Sequence, residues 1–168
     1  MDTPTRRAVL AGGAALASSF AGCSGLGGGS SAPTDGAPVP TEASELDLRE
    51  ANVTAVTVED AGEREYRFDV TLYHDDDGED GYANWWQVET LSGEPLGRRD
   101  LSHPHSTEPV TRSTTAGVPG GVSCVVVRGH DQTHGYGGQA MAVALGDGAT
   151  EPLQQGPDRR AVDESDCP

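Results

Sequence analysis

Hydrophobic and polar residues alternate in several short segments between residues 52 and 145, with the period of two that is typical of half-buried β-strands. The clearest alternation lies in the segment 66–73, where every second position is apolar: Tyr66, Phe68, Val70 and Leu72. Together the segments predict about seven strands, near 52–58, 66–73, 83–91, 96–103, 108–113, 122–130 and 139–145. The chain has no sustained 3.6-residue apolar period with helix caps.

Seven short strands in about 100 residues predict an all-β domain, a single antiparallel β-sandwich of immunoglobulin-like build over residues 45–148. A small closed barrel is the alternative. In the first strand, Val53, Ala55 and Thr57 are expected to share one face; in the third, Trp86 is expected to point to the core. Beyond Gly146 the composition shifts to polar, Gly and Pro residues, which predicts a disordered acidic tail over 149–168.

The amino-terminal segment has the features of an export signal. Arg6 and Arg7 precede an apolar run of 13 residues, 8–20, which is shorter than the ~20 residues of a membrane-spanning helix. The paired arginines resemble a twin-arginine signal, and the sequence FAGC ending at Cys23 resembles the lipobox of secreted lipoproteins. We therefore expect a signal over 1–22, lipid on Cys23, a disordered Gly/Ser/Pro tether over 23–44 and a position at the cell surface, on the outer face of the cytoplasmic membrane. A cleaved, soluble secretory protein is the alternative.

The charge balance is strongly acidic. The chain carries 27 Asp and Glu against 11 basic residues, for a net charge of −16, and every basic residue is arginine. Acid excess without lysine resembles the composition of proteins from extreme halophiles, where the Debye length of ~3 Å at 1 M salt screens self-repulsion. The absence of a basic patch in the sequence argues against nucleic acid as a partner.

Four of the five histidines lie within 32 residues, as His103, His105, His130 and His134. Imidazole is the commonest metal ligand, and a His-x-His pair on a strand projects both rings from one face. With histidines from a neighbouring strand, the pair predicts a candidate zinc or copper site. Ordinary hydrogen-bonded histidines at strand ends, with Pro104 interrupting the pair, are the alternative.

Three further positions are candidates for covalent modification or ligand contact. Cys124 lies in an apolar run and is most simply a small buried residue; outside the membrane it could instead form a disulfide with Cys167. Asn52 begins an Asn-Val-Thr acceptor for N-glycosylation. Trp85 and Trp86 point to opposite faces of a strand, so Trp85 is either a ligand contact or covered, and we expect cover by the segment 102–118.

The segment 82–138 resembles an uncharacterised family of small exported prokaryotic domains. The resemblance rests on the successive motifs Ala-x-Trp-Trp-x-Val, Arg-Arg-x-Leu-x-His-x-His, Glu-Pro-x-Thr-Arg-Ser, Val-Arg-x-His and Gly-Tyr-Gly-Gly. It implies a shared β domain and a shared polar site around the histidines and arginines, and it supplies no activity.

No serine elbow, reactive thiolate setting or distinct carboxylate pair is present in the sequence, so an enzyme is disfavoured without being settled. We expect a lipid-anchored surface module that binds an envelope protein or a small ligand. The alternatives are a histidine-based copper or zinc protein, including a metalloenzyme, and a structural spacer.

Overall fold

In a computed structural model, residues 46–76 and 78–168 form eight β-strands and one short 3₁₀ helix. The elements are β1 (Asn52–Gly62), β2 (Glu65–Tyr73), β3 (Ala83–Thr90), β4 (Pro95–Asp100), β5 (Val110–Gly117), β6 (Cys124–Asp131), β7 (Gln139–Ala144), β8 (Thr150–Gln154) and the 3₁₀ helix Glu164–Asp166. The predicted signal, tether and lipidated Cys23 lie outside these residues. Within the described part of the chain, no helix has the length and apolar character needed to cross a membrane.

The strands pair in two antiparallel sheets, which confirms the predicted all-β sandwich. One sheet has the order β1-β2-β5 and the other the order β4-β3-β6-β7-β8. In an immunoglobulin sandwich the first, second and fifth strands A, B and E share a sheet, while C, F and G form the other. The present order matches that arrangement, with β4 added beside β3 and β8 added beside β7.

The main core lies between the two sheets. Alternate residues of β2, β3 and β6 supply its largest side chains, and all of them are buried: Phe68, Val70, Leu72, Trp86, Val88, Val125 and Val127. Each large apolar side chain contributes about 1.5–3 kcal/mol when fully buried. The prediction that Trp86 points to the core is therefore confirmed.

β1 does not present the predicted face to the core. The register with β2 shifts between Val53 and Ala55, so Thr54 is an extra residue at a β-bulge. The bulge moves the inward face by one position: Val53 and Val56 are buried, whereas Ala55 and Thr57 are exposed. The expectation that Val53, Ala55 and Thr57 share one face is wrong for this reason.

The carboxyl-terminal segment is ordered, and the prediction of a disordered tail over 149–168 is wrong. Residues 150–154 form β8, and residues 155–168, which we call the C-terminal cover, lie on the outer face of the five-stranded sheet. Val162 of the cover is 8% exposed and packs with Leu153, Ala140 and Ala142 in a second apolar cluster. Asp163 caps the 3₁₀ helix by accepting from Ser165 N at 2.8 Å.

The cover is also held covalently. Cys124 in β6 and Cys167 in the cover form a disulfide, with their Cα atoms 6.4 Å apart. A few apolar side chains, a capped turn and one covalent bond thus order a segment whose composition alone predicts disorder.

Candidate functional site

An aromatic group lies on the outer face of the five-stranded sheet, at the end that the C-terminal cover leaves open. Trp85 on β3 pairs directly with His130 on β6, and Arg98 on β4 lies diagonally across from Trp85. Tyr136 reaches the same place from the turn that follows β6. We refer to Trp85, Arg98, His130 and Tyr136 as the aromatic group.

Stacking holds the aromatic group together. The Trp85 and His130 rings are stacked, with centroids 4.2 Å apart and an interplanar angle of 15°. Tyr136 meets both rings edge-on, with centroids 5.4 Å from each. The Arg98 guanidinium carbon lies 3.8 Å from the Trp85 ring centroid, a cation–π contact. All four side chains keep part of their surface in solvent.

The position of His130 is fixed by its neighbours. Its Nδ1 lies 2.8 Å from Asn84 Oδ1. Burial, assisted by the positive charge of Arg98, lowers the pKa of His130, while Asp131 opposes this effect. The ring therefore favours its neutral form and serves as a flat stacking partner for Trp85.

The turn that carries Tyr136 depends on glycine. Gly135 and Gly138 have positive φ angles of 72° and 92°. A Cβ on Gly138 would lie 2.7 Å from Asn52 Oδ1, so the turn packs too closely against β1 for any side chain at that position. The glycine-rich sequence is thus explained by backbone conformation and close approach.

Beside the aromatic group, the same face carries a buried polar network. Glu89 is 0% exposed, and its carboxylate accepts from Arg128 Nε, from Arg159 Nε at 3.1 and 3.2 Å and from Gln87 Nε2 at 3.0 Å. Arg128 is 1% exposed. Arg98 donates to Gln87 Oε1 at 3.0 Å, which connects the network to the aromatic group.

The C-terminal cover completes this network. Arg128 donates to Gln155 Oε1 and, at 2.8 Å, to the Arg160 carbonyl, and Gln155 donates to the Tyr136 carbonyl. A buried ion pair needs further hydrogen bonds to offset its loss of hydration. The cover supplies them, so it is an integral part of this face.

A second polar centre surrounds Asp76, in the connection between β2 and β3. Its Oδ1 lies 2.6 Å from His74 Nδ1 and accepts from Ala83 N at 2.9 Å, while its Oδ2 accepts from His105 N at 2.7 Å. His74 Nε2 lies 3.1 Å from the Arg49 carbonyl. These bonds tie the 74–76 segment to the 101–109 connection, and they give Asp76 an architectural role.

The four histidines predicted to bind metal lie in different places. His103 and His105 stack on each other, with ring centroids 4.8 Å apart. His130 belongs to the aromatic group, and His134 lies beside Asp131, whose Oδ1 accepts from His134 N at 2.5 Å. Within residues 46–76 and 78–168, no group of three or more His, Cys, Asp or Glu side chains is arranged to hold a metal ion. The structure therefore does not bring the four together as one zinc or copper site.

Asn52 is unsuited to glycosylation in the folded domain. It is 1% exposed, its Nδ2 donates to the carbonyls of Asp47 and Glu50 at 2.8 and 2.7 Å, and its Oδ1 accepts from Gln139 N at 2.9 Å. A glycan on Nδ2 would remove these bonds and has no space. The interpretation of Asn52 as an acceptor is corrected to that of a structural amide linking β1 to β7.

Trp85 is covered differently from the prediction. Its stacking and cation–π partners come from β4, β6 and the glycine-rich turn, and none of these partners belongs to the segment 102–118. Sequence reasoning also missed Glu89, Arg128 and Gln87 as a connected set. The sequence did contain a signal for this set: Glu89 in β3 and Arg128 in β6 are charged residues in strands whose neighbouring positions are largely apolar.

Comparisons with known proteins give one informative match. No family model matches the chain, and no solved structure matches it. The chain is 52% identical to a protein of Halomicrobium mukohataei named "Putative lipoprotein", in an alignment of 196 positions that covers 97% of this chain and 98% of the relative. Identity at this level over nearly the full length of both chains establishes common descent and a shared fold. The chain belongs to the family of this haloarchaeal lipoprotein.

Proposed function

We propose that this protein is a lipid-anchored, non-catalytic binding module displayed on the outer face of the cytoplasmic membrane of a halophile. Two features of the sequence support the anchor: the paired Arg6 and Arg7, and Cys23 at the end of a short apolar run. The lipoprotein relative supports it independently. A lipid with two chains gives stable anchoring, because each buried CH₂ contributes ~0.8 kcal/mol.

The anchor is tested by replacing Cys23 with Ser in a haloarchaeal host. The native chain is expected in the membrane fraction with a lipid mass on Cys23, and the Cys23→Ser variant is expected to lack that mass. Changing Arg6 and Arg7 to Lys is expected to keep the protein inside the cell, which tests the twin-arginine route. Absence of a lipid mass from the native chain would contradict lipid anchoring.

The single observation that carries the binding role is the aromatic group. The C-terminal cover closes most of the outer face of the five-stranded sheet, yet Trp85, Arg98 and Tyr136 remain partly exposed beside it. Partly exposed Trp, Tyr and Arg are the side chains most enriched at the centres of binding surfaces. Both faces of the Trp85 ring are occupied, by His130 and Arg98, so a partner contacts the ring edges and the outward side of the guanidinium.

We infer that the partner is another component of the cell envelope, since the anchored domain meets that surface first. The test is sedimentation of the Cys23→Ser protein with isolated envelopes of a strain lacking the gene, in molar salt. The double variant Trp85→Leu, Tyr136→Leu is expected to lose most of the bound fraction. Tyr73→Leu, which alters a half-exposed tyrosine of the other sheet, is the matched control and should bind normally. Equal sedimentation of all three proteins would refute the assignment of this surface.

A further inference from the structure

Three arginines on the edge strands β4 and β5 form no salt bridge with a described Asp or Glu. Among the nine arginines that the structure describes, five form salt bridges with Asp or Glu: Arg49, Arg67, Arg128, Arg159 and Arg160. Arg64 donates to the carbonyls of Val118, Pro119 and Val122. No described carboxylate lies within salt-bridge distance of Arg98, Arg99 or Arg112. In a chain with 27 acidic residues, unneutralised arginines point to a special use.

Two of these arginines, Arg99 and Arg112, flank the seam where the edges of the two sheets meet. β4 and β5 are edge strands, and they approach so closely that a Cβ on Gly97 would lie 2.9 Å from Ala116 Cβ. The 101–109 connection joins the end of β4 to the start of β5. Arg99 is exposed and Arg112 is half-exposed. Arg99 projects from the side of β4 opposite to Arg98, so the seam is separate from the aromatic group.

Two histidines of the 101–109 connection belong to the same cluster. His103 is exposed and stacks on His105, whose side chain is 6% exposed. His105 Nδ1 is buried and has no hydrogen-bond partner among the described residues; the Asp76 Oδ2 atom lies 3.8 Å away. Burial lowers the pKa of His105, with Arg112, His103 and Arg99 adding to the effect and Asp76 opposing it.

The nearest buried acid does not neutralise the cluster. Asp76 is already engaged by His74, by Ala83 N and by His105 N. Among residues 46–76 and 78–168, the Arg112 guanidinium donates only to the carbonyl of its neighbour Thr111, at 2.9 Å. The outward N–H groups of Arg99 and Arg112 therefore remain available for a ligand.

We propose that the seam formed by Arg99, His103, His105 and Arg112 binds an oxyanion, the sulfate, phosphate or carboxylate group of an acidic ligand. The planar guanidinium fork matches the oxygen pairs of all three groups and forms charge-assisted hydrogen bonds with them. At molar salt, charges act over only ~3 Å, so direct contacts decide binding and the net negative charge of the domain has little effect. The proposal goes beyond the envelope-binding surface, because the seam and the aromatic group share no residue.

The test is an NMR titration of the ¹⁵N-labelled full chain carrying Cys23→Ser, a change outside the described residues. Sodium sulfate, phosphate and acetate are each added at constant ionic strength against sodium chloride. Saturable shifts are expected at the Arg99 and Arg112 side chains and at the rings of His103 and His105, and the ion with the lowest Kd identifies the oxyanion. The double variant Arg99→Gln, Arg112→Gln should weaken binding at least ten-fold.

Two controls keep the result decisive. Arg49→Gln removes an exposed arginine that already has an acidic partner, and it should leave the titration unchanged. If the Gln double variant fails to fold, Arg99→Lys, Arg112→Lys keeps the charge, loses the fork, and should still weaken binding. Linear, non-saturating shifts with all three ions, or equal affinity in the native chain and the folded double variant, would overturn the proposal. Neither result bears on the envelope test, which depends on Trp85 and Tyr136.

Discussion

Loss of the disulfide between Cys124 and Cys167 is expected to lower the stability of the domain by up to about 4 kcal/mol. The two cysteines are 43 residues apart, and the loop-entropy relation gives ~4 kcal/mol at 25 °C for the constraint that a loop of this length places on the unfolded chain. A domain of roughly 120 residues has an unfolding entropy of about 0.25 kcal/mol/K, so the melting temperature should fall by about 15 °C. Cys124 also packs in the second apolar cluster, which adds a smaller loss on its replacement.

The assay is thermal and guanidinium chloride unfolding of four proteins in a Cys23→Ser background with reductant-free buffer. They are the parent, Cys124→Ala, Cys167→Ala and the double variant. Because either single change removes the whole disulfide, the double variant should be hardly less stable than Cys124→Ala alone, and the mutant cycle should show a coupling of several kcal/mol. Additive effects, or single variants within about 1 kcal/mol of the parent, would show that the bond contributes nothing to the fold. A monomer check by gel filtration excludes intermolecular disulfides in the single variants.

Three further outcomes are expected from the structure. Glu89→Ala leaves the buried Arg128 without its carboxylate, so the free energy of unfolding measured in guanidinium chloride should fall by about 3–5 kcal/mol, and by less in Glu89→Gln. Equal and small decreases for the two variants would contradict a stabilising role of the Glu89–Arg128 network. Asn52→Ala removes the four hydrogen bonds of a side chain that is 1% exposed, so it should lower the free energy of unfolding by about 2–3 kcal/mol, and mass spectrometry of the native protein should find residue 52 unmodified. In the folded chain the pKa values of His105 and His130 lie below the ordinary 6.5 of histidine. On acidification the unfolded chain therefore binds protons at a higher pH than the folded chain does. The free energy of unfolding should therefore be constant above about pH 7.5 and should fall as the pH drops through 6.5 toward the lowered pKa values of the two histidines. His130→Gln should reduce the difference in melting temperature between pH 8 and pH 5. A melting temperature that does not change with pH would refute the lowered pKa values.

The sequence pattern predicts most of the strands because their apolar side chains are buried between or outside the sheets. Period-two alternation and short apolar runs together predict seven of the eight strands, and the sandwich follows from their number and spacing. β8 escapes prediction because Leu153 is its only buried apolar side chain, set among Gln, Glu and Pro. The bulge at Thr54 escapes because a shift of register depends on the partner strand, which the local sequence does not specify.

The candidate sites depend on pairing between distant segments, and this explains why residue type alone assigns them incompletely. Four histidines close in sequence suggest one metal centre, but the antiparallel register places His130 opposite Trp85, while the 101–109 connection directs His105 toward Asp76 and the sheet seam. Arg99 is a candidate because no described carboxylate lies within salt-bridge distance of it, whereas five of the nine described arginines form a salt bridge with Asp or Glu. A sequence shows every charge, whereas only the folded chain shows which charges are left without a counter-charge. In an acidic protein, an arginine without a carboxylate partner can form charge-assisted hydrogen bonds with an anionic ligand. The seam between β4 and β5 carries two such arginines, and binding of an anionic ligand should therefore be tested there.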